Sequence, residues 1–145
     1  MSKLFLCLIL LLGLYKCEDF EGAKVYEVVL DEDKETTVVD VKASKGKDFA
    51  LKFKGNPTTG YTWVLLNPEE ANGSILGSNF DLDGIGEYVS NRNDEKLSGV
   101  GGNFYYTFKA LKVSNEVKEL NFSYRRVWEK EQKETPDVVV RITVS

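Results

Sequence analysis

Carboxylates, cysteines and hydroxyls are the residues in this 145-residue sequence with the chemistry that catalysis or metal binding requires. Histidine is absent, which removes the commonest general base, the Ser-His-Asp and Cys-His arrangements and the commonest transition-metal ligand. Asp81 and Asp83 have the spacing of side chains on one side of an extended segment, but no motif supplies a partner base. The acidic run over 31–35 lacks the spaced ligands and the glycine of a calcium loop. We therefore predict a protein that is not an enzyme and that uses no metal or cofactor.

The N-terminus has the pattern of a secretory signal peptide. A basic residue precedes an unbroken apolar run over 4–12, which is too short for a membrane span of about 20 residues. A polar segment follows, so we expect cleavage near Cys17 and a mature domain over residues 18–145. Cys7 and Cys17 both lie within the 1–17 signal peptide, so the mature chain would have no disulfide.

Secretion has further consequences for the mature chain. Loss of two lysines changes the net charge from -4 to -6 (-4 minus 2), which does not match the basic footprint of a nucleic-acid-binding protein. We expect a secreted protein or one of lysosome- or phagosome-like vesicles, with no membrane attachment after cleavage. Two Asn-X-Ser sequons are possible glycosylation sites: Asn72 in a loop and Asn121 in a strand-like run.

A short turn between two strand-like runs is the first candidate binding site. Pro57 fixes its own φ and keeps the preceding residue extended. Gly60 permits a backbone angle or a close approach that a side chain would forbid. A stiff loop with small side chains suits insertion into a cleft, although ordinary hairpin turns use the same residue types. The residues of this first loop are Asn56, Pro57, Thr58, Thr59, Gly60 and Tyr61.

Two further loops have an unusual composition. The second loop has three glycines in four residues before an aromatic strand, and no helix follows that would present its N-terminus to a phosphate. The third loop places a tryptophan at the end of a strand among charged residues, where it is either a core anchor or an exposed binding residue. The second loop is Gly99, Val100, Gly101 and Gly102, and the third loop is Arg126, Val127 and Trp128.

Short strands must position these loops. Apolar and polar residues alternate with period 2 along most of the chain, which is typical of half-buried strands. The alternation on both sides of the first loop predicts a hairpin there. No helix-period run occurs outside the signal peptide, so we predict an all-β, immunoglobulin-like sandwich of about seven to eight strands. The predicted strands are 25–30, 36–41, 49–53, 61–65, 87–90, 104–110, 117–124 and 138–145.

The three loops together resemble the chagasin family of cysteine-peptidase inhibitors. The matching motifs are Asn-Pro-Thr-Thr-Gly-Tyr, Gly-Val-Gly-Gly and Arg-Val-Trp, in this order. Each motif alone is weak, but the ordered set within one small β domain is specific, and the resemblance covers essentially the whole mature chain. The family's third loop usually reads Arg-Pro-Trp. Because Val127 replaces that proline, we expect a less rigid third loop.

The resemblance implies a reversible, tight-binding inhibitor of papain-like, cathepsin L-type cysteine peptidases that acts as a monomer without covalent chemistry. Three loops at one end of the sandwich would occlude the active-site cleft. Thr58 and Thr59 would lie over the catalytic cysteine, and the second loop would follow the non-primed side. Trp128 would stack on the aromatic wall of the primed side, supported by Arg126.

The residues themselves leave two other function classes open. An immunoglobulin-like adhesion or carbohydrate-binding module would use Tyr105, Trp128 and loop aromatics as a platform. A glycosidase would need a placed pair of carboxylates, which no motif supplies. Because no side chain has an unperturbed pKa between about 5 and 8, we also predict that the chain's own contribution to binding is nearly independent of pH over that range.

Overall fold

The computed structural model of the protein describes residues 19–20, 22–80, 83–90 and 101–145. The predicted signal peptide, Asp81 of the carboxylate pair, and Gly99 and Val100 of the second loop lie outside the described residues. Within the described part of the chain, no helix is long and apolar enough to cross a membrane.

The described residues form two β-sheets. Their strands are β1 (Asp19–Phe20), β2 (Ala23–Val28), β3 (Thr37–Ala43), β4 (Asp48–Gly55), β5 (Thr62–Leu65), β6 (Leu76–Ser78), β7 (Glu87–Ser90), β8 (Gly102–Ala110), β9 (Ser114–Arg125) and β10 (Val138–Val144). Sheet A has the order β1-β2-β4-β8-β6, with β7 also paired to β8, and sheet B has the order β3-β10-β9-β5. The pairs β2–β4 and β3–β10 are parallel, and the other pairs are antiparallel.

Alternate residues of the strands fill the space between the sheets. In β10, for example, Val138, Val140, Ile142 and Val144 are buried, whereas the residues between them are half-buried or exposed. Phe53 of sheet A joins the sheets, because its ring centroid lies 4.7 Å from that of Phe122 in sheet B. Burial of such side chains is the main stabilising term of the described fold, whose residues include no cysteine.

The prediction of an all-β sandwich is confirmed, and each predicted strand occurs with bounds shifted by a few residues. The described chain has ten strands, more than the seven to eight predicted. The additional strands β1 and β6 contain two and three residues, which is too short for a period of two to be recognisable.

The predicted hairpin at the first loop is wrong. The strands on its two sides, β4 and β5, belong to different sheets, so the first loop crosses from sheet A to sheet B. Alternation shows that one face of each strand is buried, but two strands facing each other across a core have the same pattern as two paired strands. The pattern therefore cannot distinguish a hairpin from a crossing between sheets.

Strand registers bring the predicted loops to one end of the sandwich. Gly55, the last residue of β4, pairs with Gly102, the first residue of β8. Thr62, the first residue of β5, pairs with Arg125, the last residue of β9. The first loop, the third loop and the described end of the second loop therefore lie together, and we call this end the loop end.

Candidate functional site

The first loop is a preformed 3-10 turn over Pro57–Thr59. The Asn56 side-chain oxygen caps the turn by accepting from the Thr58 backbone N–H at 3.1 Å. Gly60 ends the turn with a φ of 86°, and its N–H donates to the Pro57 carbonyl at 2.9 Å. Only glycine adopts this left-handed angle without strain, so the predicted need for glycine at this position has a local backbone cause.

The two threonine hydroxyls also stabilise the turn. Thr58 Oγ1 donates to the Asn56 side-chain oxygen at 2.6 Å, and Thr59 Oγ1 donates to the Asn56 carbonyl at 2.7 Å. Both side chains are exposed. Their protons are therefore used inside the loop, and each oxygen keeps lone pairs that can accept a further hydrogen bond.

Tyr124, near the end of β9, anchors the base of the first loop. Its hydroxyl oxygen accepts from the Asn56 backbone N–H at 2.9 Å, and its ring stacks against Tyr61 with centroids 5.3 Å apart. On its other side it contacts the buried ring of Trp63 at 5.2 Å. The sequence motifs did not identify Tyr124, and its position two residues before the Arg-Val-Trp motif was the only available signal.

The third loop forms a hydrogen-bonded β-turn. The Glu129 N–H donates to the Arg126 carbonyl at 3.2 Å, so Val127 occupies the second position of the turn, where proline is favoured. Gln132 supplies restraints that a proline would otherwise provide, because its Nε2 donates to the carbonyls of Arg126 at 2.8 Å and Glu129 at 2.7 Å. Trp128, 66% exposed, is not a core residue and projects from this turn.

Arg126 connects the third loop to the first. Its Nε donates to the Thr59 carbonyl at 3.2 Å, and its guanidinium lies 4.7 Å from the centroid of the Tyr61 ring, a favourable cation–π distance. A salt bridge of 3.4 Å joins it to Glu129. Arg126 therefore links the first loop to the turn that contains Trp128.

Gly60 makes room for Trp128. A Cβ atom at residue 60 would lie 2.5 Å from Cη2 and 3.1 Å from Cζ2 of the Trp128 indole, both closer than ordinary van der Waals contact. The two most distinctive residues of the first and third loops are therefore packed together before any partner arrives.

The base of the third loop is held by Asp137, which the sequence motifs also missed. Its carboxylate accepts from the Tyr124 N–H at 2.8 Å and from the Ser123 hydroxyl at 3.1 Å, and the Lys133 ammonium lies 3.1 Å from its other oxygen.

Below the first loop, the Tyr106 hydroxyl lies 2.9 Å from the carbonyl oxygens of both Trp63 and Gly84. Burial raises the pKa of the Tyr106 hydroxyl, so this group is neutral.

The described part of the second loop is packed against both neighbouring strands. Gly102 pairs with Gly55 on one side and with Ser90 on the other. A Cβ atom at Gly102 would collide with the backbone of Val89, and one at Gly101 would lie 3.4 Å from the Gly55 carbonyl. Close packing at the loop end therefore requires glycine at position 102, whereas a side chain at position 101 would make about van der Waals contact with Gly55.

The remaining predicted residues lie away from the loop end or inside a strand. Asn72 is exposed, and its side-chain oxygen accepts from the Ser78 hydroxyl at 2.8 Å. Asn121 is half-buried within β9. Tyr105 is half-buried on the outer face of sheet A, where Phe20 stacks on it with centroids 4.0 Å apart. No cluster of His, Cys, Asp or Glu in the described ranges is arranged to hold a metal ion.

Two sheets with preformed loops at one end define a binding protein built on a rigid scaffold. The sequence model of the chagasin family, described as "Chagasin family peptidase inhibitor I42", matches residues 42–144, well over half of the chain. The chain therefore belongs to the chagasin family of peptidase inhibitors, and it is not an enzyme.

Known proteins agree with this assignment. Amoebiasin-1 of Entamoeba histolytica is 27% identical over 99 residues, which cover 68% of this chain and 82% of Amoebiasin-1. The cysteine protease inhibitor EhICP2 of the same organism superposes with a TM-score of 0.55 at 16% identity, over 83% of this chain and 96% of EhICP2. PbICP-C, solved in complex with falcipain-2, superposes with a TM-score of 0.53 at 19% identity, over 85% of this chain and all (100%) of PbICP-C. At these identities the two structures establish a shared fold.

Proposed function

We propose that this protein is a reversible, tight-binding inhibitor of papain-like cysteine peptidases that occludes the active-site cleft with its three loops. Family membership supports the inhibitory role, and the complex of PbICP-C with falcipain-2 supports the kind of target. The proposed contact residues are those of the first, second and third loops defined above. Cathepsin L-type enzymes are the proposed targets, and the inhibitor acts as a monomer without a cofactor.

The observation that carries this proposal is the connection between the first and third loops. The hydrogen bond from Arg126 to Thr59 and the packing of Trp128 over Gly60 fix the two loops relative to each other. Ordering flexible loops on binding costs about 0.5–1.5 kcal/mol for each immobilised side chain. A surface that is already ordered avoids much of this cost, which is the usual basis of tight inhibition.

The first loop is well suited to block a cysteine peptidase without being cleaved. A papain-like enzyme attacks a substrate carbonyl with a thiolate activated by an imidazolium, and it binds the scissile segment in an extended conformation. The 3-10 turn over Pro57–Thr59 is not extended. The carbonyls of Asn56 and Pro57 accept from the N–H groups of Thr59 and Gly60, and the Thr59 carbonyl accepts from Arg126 Nε. The hydroxyl oxygens of Thr58 and Thr59 have lone pairs left to accept from a protonated imidazole.

The third loop supplies the main apolar contact. Trp128 and Val127 are 66% and 55% exposed, and together they form an apolar tip on a restrained turn. Aromatic residues in such positions dominate binding energy at interfaces of roughly 800 Å² per partner. Stacking of Trp128 on an aromatic wall of the primed side would use this tip directly.

The proposed location and processing follow from the N-terminal sequence pattern. The chain enters the secretory pathway, loses residues 1–17 and acts as the 18–145 domain, either secreted or in lysosome- or phagosome-like vesicles. Asn72 is the better of the two proposed glycosylation sites, because it is exposed and Asn121 is half-buried in a strand.

Inhibition of papain by the 18–145 protein, measured with a fluorogenic substrate, tests the proposal. We expect tight competitive inhibition that Trp128→Ala weakens by about 30-fold or more, equivalent to about 2 kcal/mol. Val113→Ala is the matched control, because Val113 is 53% exposed and lies in the β8–β9 turn at the opposite end of the sandwich. Equal inhibition by the Trp128 variant and the wild type would show that the third loop is not part of the inhibitory surface.

A further inference from the structure

The connection between β2 and β3, residues 29–36, also lies at the loop end. β2 runs parallel to β4, and its last residue, Val28, pairs with Phe53 near the end of β4. The next strand, β3, starts at Thr37, which pairs with Val138 at the start of β10. The connection between β9 and β10 contains the third loop and ends at the start of β10. Because Thr37 pairs with that start, residues 29–36 lie beside the β9–β10 connection.

Direct hydrogen bonds join residues 29–36 to that connection. Thr36 Oγ1 donates to the Pro136 carbonyl at 2.7 Å, and Thr135 Oγ1 donates to the Glu35 carboxylate at 2.8 Å. The Thr37 N–H also donates to the Asp137 carbonyl at 2.9 Å. The β2–β3 connection is therefore continuous with the third loop and extends the surface beyond it.

Two neighbouring apolar residues of this connection face solvent. Val29 is 72% exposed and Leu30 is 49% exposed, so the fraction of Val29 in contact with water exceeds even that of Trp128. Single exposed apolar residues are common on protein surfaces; this pair differs in being adjacent and in lying next to the proposed contact surface of the third loop. The rest of the connection has four acidic residues and one lysine, which gives it a negative charge.

A cleft of about 260 Å³ lies between this connection and the main body of the sandwich. Four carboxylates and two aromatic rings line it together with Lys34. Lys34 forms a salt bridge of 3.7 Å with Asp31, and Lys133 pairs with Asp137 at 3.1 Å, so the cleft keeps a net negative charge. The carboxylates are Asp31, Glu32, Glu35 and Asp137, and the rings are those of Trp63 and Tyr124. This combination of negative charge and ring faces suits the long cationic side chain of an arginine or lysine.

We propose that residues 29–36 form a fourth contact element, in which Val29 and Leu30 bind an apolar, positively charged rim of the target peptidase beyond the surface covered by the third loop. The proposal rests on the proposed function, and it names the feature that makes a target a preferred one. Peptidases with lysine or arginine at that rim bind faster and more tightly than those with an acidic rim, because complementary charge accelerates association.

The test is the double variant Val29→Ser/Leu30→Ser, measured against papain and cathepsin L. Both side chains are exposed, so the fold does not depend on them, and unchanged thermal unfolding checks this. We expect the inhibition constant to rise by about tenfold for at least one of the two enzymes. The matched control is Leu111→Ser/Val113→Ser, which replaces residues of similar exposure (42% and 53%) at the opposite end and should inhibit like the wild type.

The outcomes separate the two proposals. Failure of the wild-type protein to inhibit either enzyme would refute the proposed function and the fourth element with it. If the wild type inhibits and Trp128→Ala weakens inhibition, while Val29→Ser/Leu30→Ser inhibits both enzymes like the wild type, only the fourth element is refuted.

Discussion

Replacing Gly60 with alanine tests whether the first and third loops work as one preformed surface. The substitution adds a single methyl group to the first loop, on the side of residue 60 where the Trp128 ring lies. In the structure this methyl would lie 2.5 Å from the Trp128 ring, so the indole must move by about 1 Å to restore ordinary van der Waals contact. Trp128 is exposed, and the fold therefore tolerates the movement.

Two separate costs follow from this change. A left-handed backbone angle at a residue with a Cβ costs about 1–2 kcal/mol of stability. Displacement of the main apolar anchor adds a binding penalty of about 2 kcal/mol, which corresponds to about a 30-fold rise in the inhibition constant. Only the second cost depends on the contact between the loops.

Gly46 provides the control that separates the two costs. Its φ is 80°, close to the 86° of Gly60, but a Cβ atom there would meet nothing within 4 Å. Gly46 lies in the β3–β4 turn, at the end opposite the loops. Gly46→Ala should therefore lose a similar amount of stability in chemical denaturation and inhibit papain like the wild type. Equal inhibition by Gly60→Ala and Gly46→Ala would refute the idea that Gly60 positions Trp128.

Three other predictions concern the supports of the site and pH. Gln132→Ala removes two hydrogen bonds from the third-loop turn and should weaken inhibition of papain by about 3–10-fold. Adding Val127→Pro to that variant should recover about 0.5–1 kcal/mol of the lost binding free energy. No recovery would show that the turn is restrained in another way. Tyr106→Phe removes the hydroxyl that lies between the carbonyls of Trp63 and Gly84. The Gly84 carbonyl keeps the Leu65 N–H as a donor at 2.7 Å, so the free energy of unfolding should fall by about 0.5–1.5 kcal/mol, the net value of one hydrogen bond. Burial raises the pKa of Tyr106 in the folded state above the unfolded value of about 10. The contribution of this hydroxyl to the free energy of unfolding is therefore complete below pH 10 and is lost as pH rises above it. Between pH 9 and 11 the Tyr106→Phe variant should consequently lose less stability than the wild type does. Because the chain has no histidine, its affinity, corrected for the peptidase's own ionisation, should be nearly constant from pH 5 to 7. A tenfold change in the corrected inhibition constant per pH unit would contradict this.

Period-2 alternation was sufficient to predict the eight longer strands and the two-sheet class, but not the short strands β1 and β6. Val138–Val144 illustrates why, because every second residue is apolar and every one of those residues is buried. The same rule failed for the partner of β4, since alternation reports burial of a face and contains no information on which strand lies beside it. The first loop was therefore located correctly but given the wrong connection.

The supports of the loops could not be predicted from local sequence. Tyr124 binds the backbone of Asn56 across 68 residues of chain, and Arg126 reaches Thr59 across 67. Such contacts depend on the strand registers, which sequence alone does not fix. Gly60 shows the same limit: its flexibility was predicted, whereas the Trp128 ring that occupies the space above it became apparent only in three dimensions.

The central claim is that the inhibitor occludes the active-site cleft without forming or breaking a covalent bond. Protection of the peptidase's catalytic cysteine from labelling tests this claim most directly. Papain would be mixed with increasing amounts of the 18–145 protein and treated with an alkylating reagent, and the labelled fraction and the mass of the recovered inhibitor would be measured. The account predicts that one equivalent of inhibitor prevents labelling, that dilution restores both labelling and activity, and that the inhibitor is recovered intact. Labelling at the uninhibited rate while substrate hydrolysis is blocked would contradict it, because the inhibitor would then act from outside the cleft.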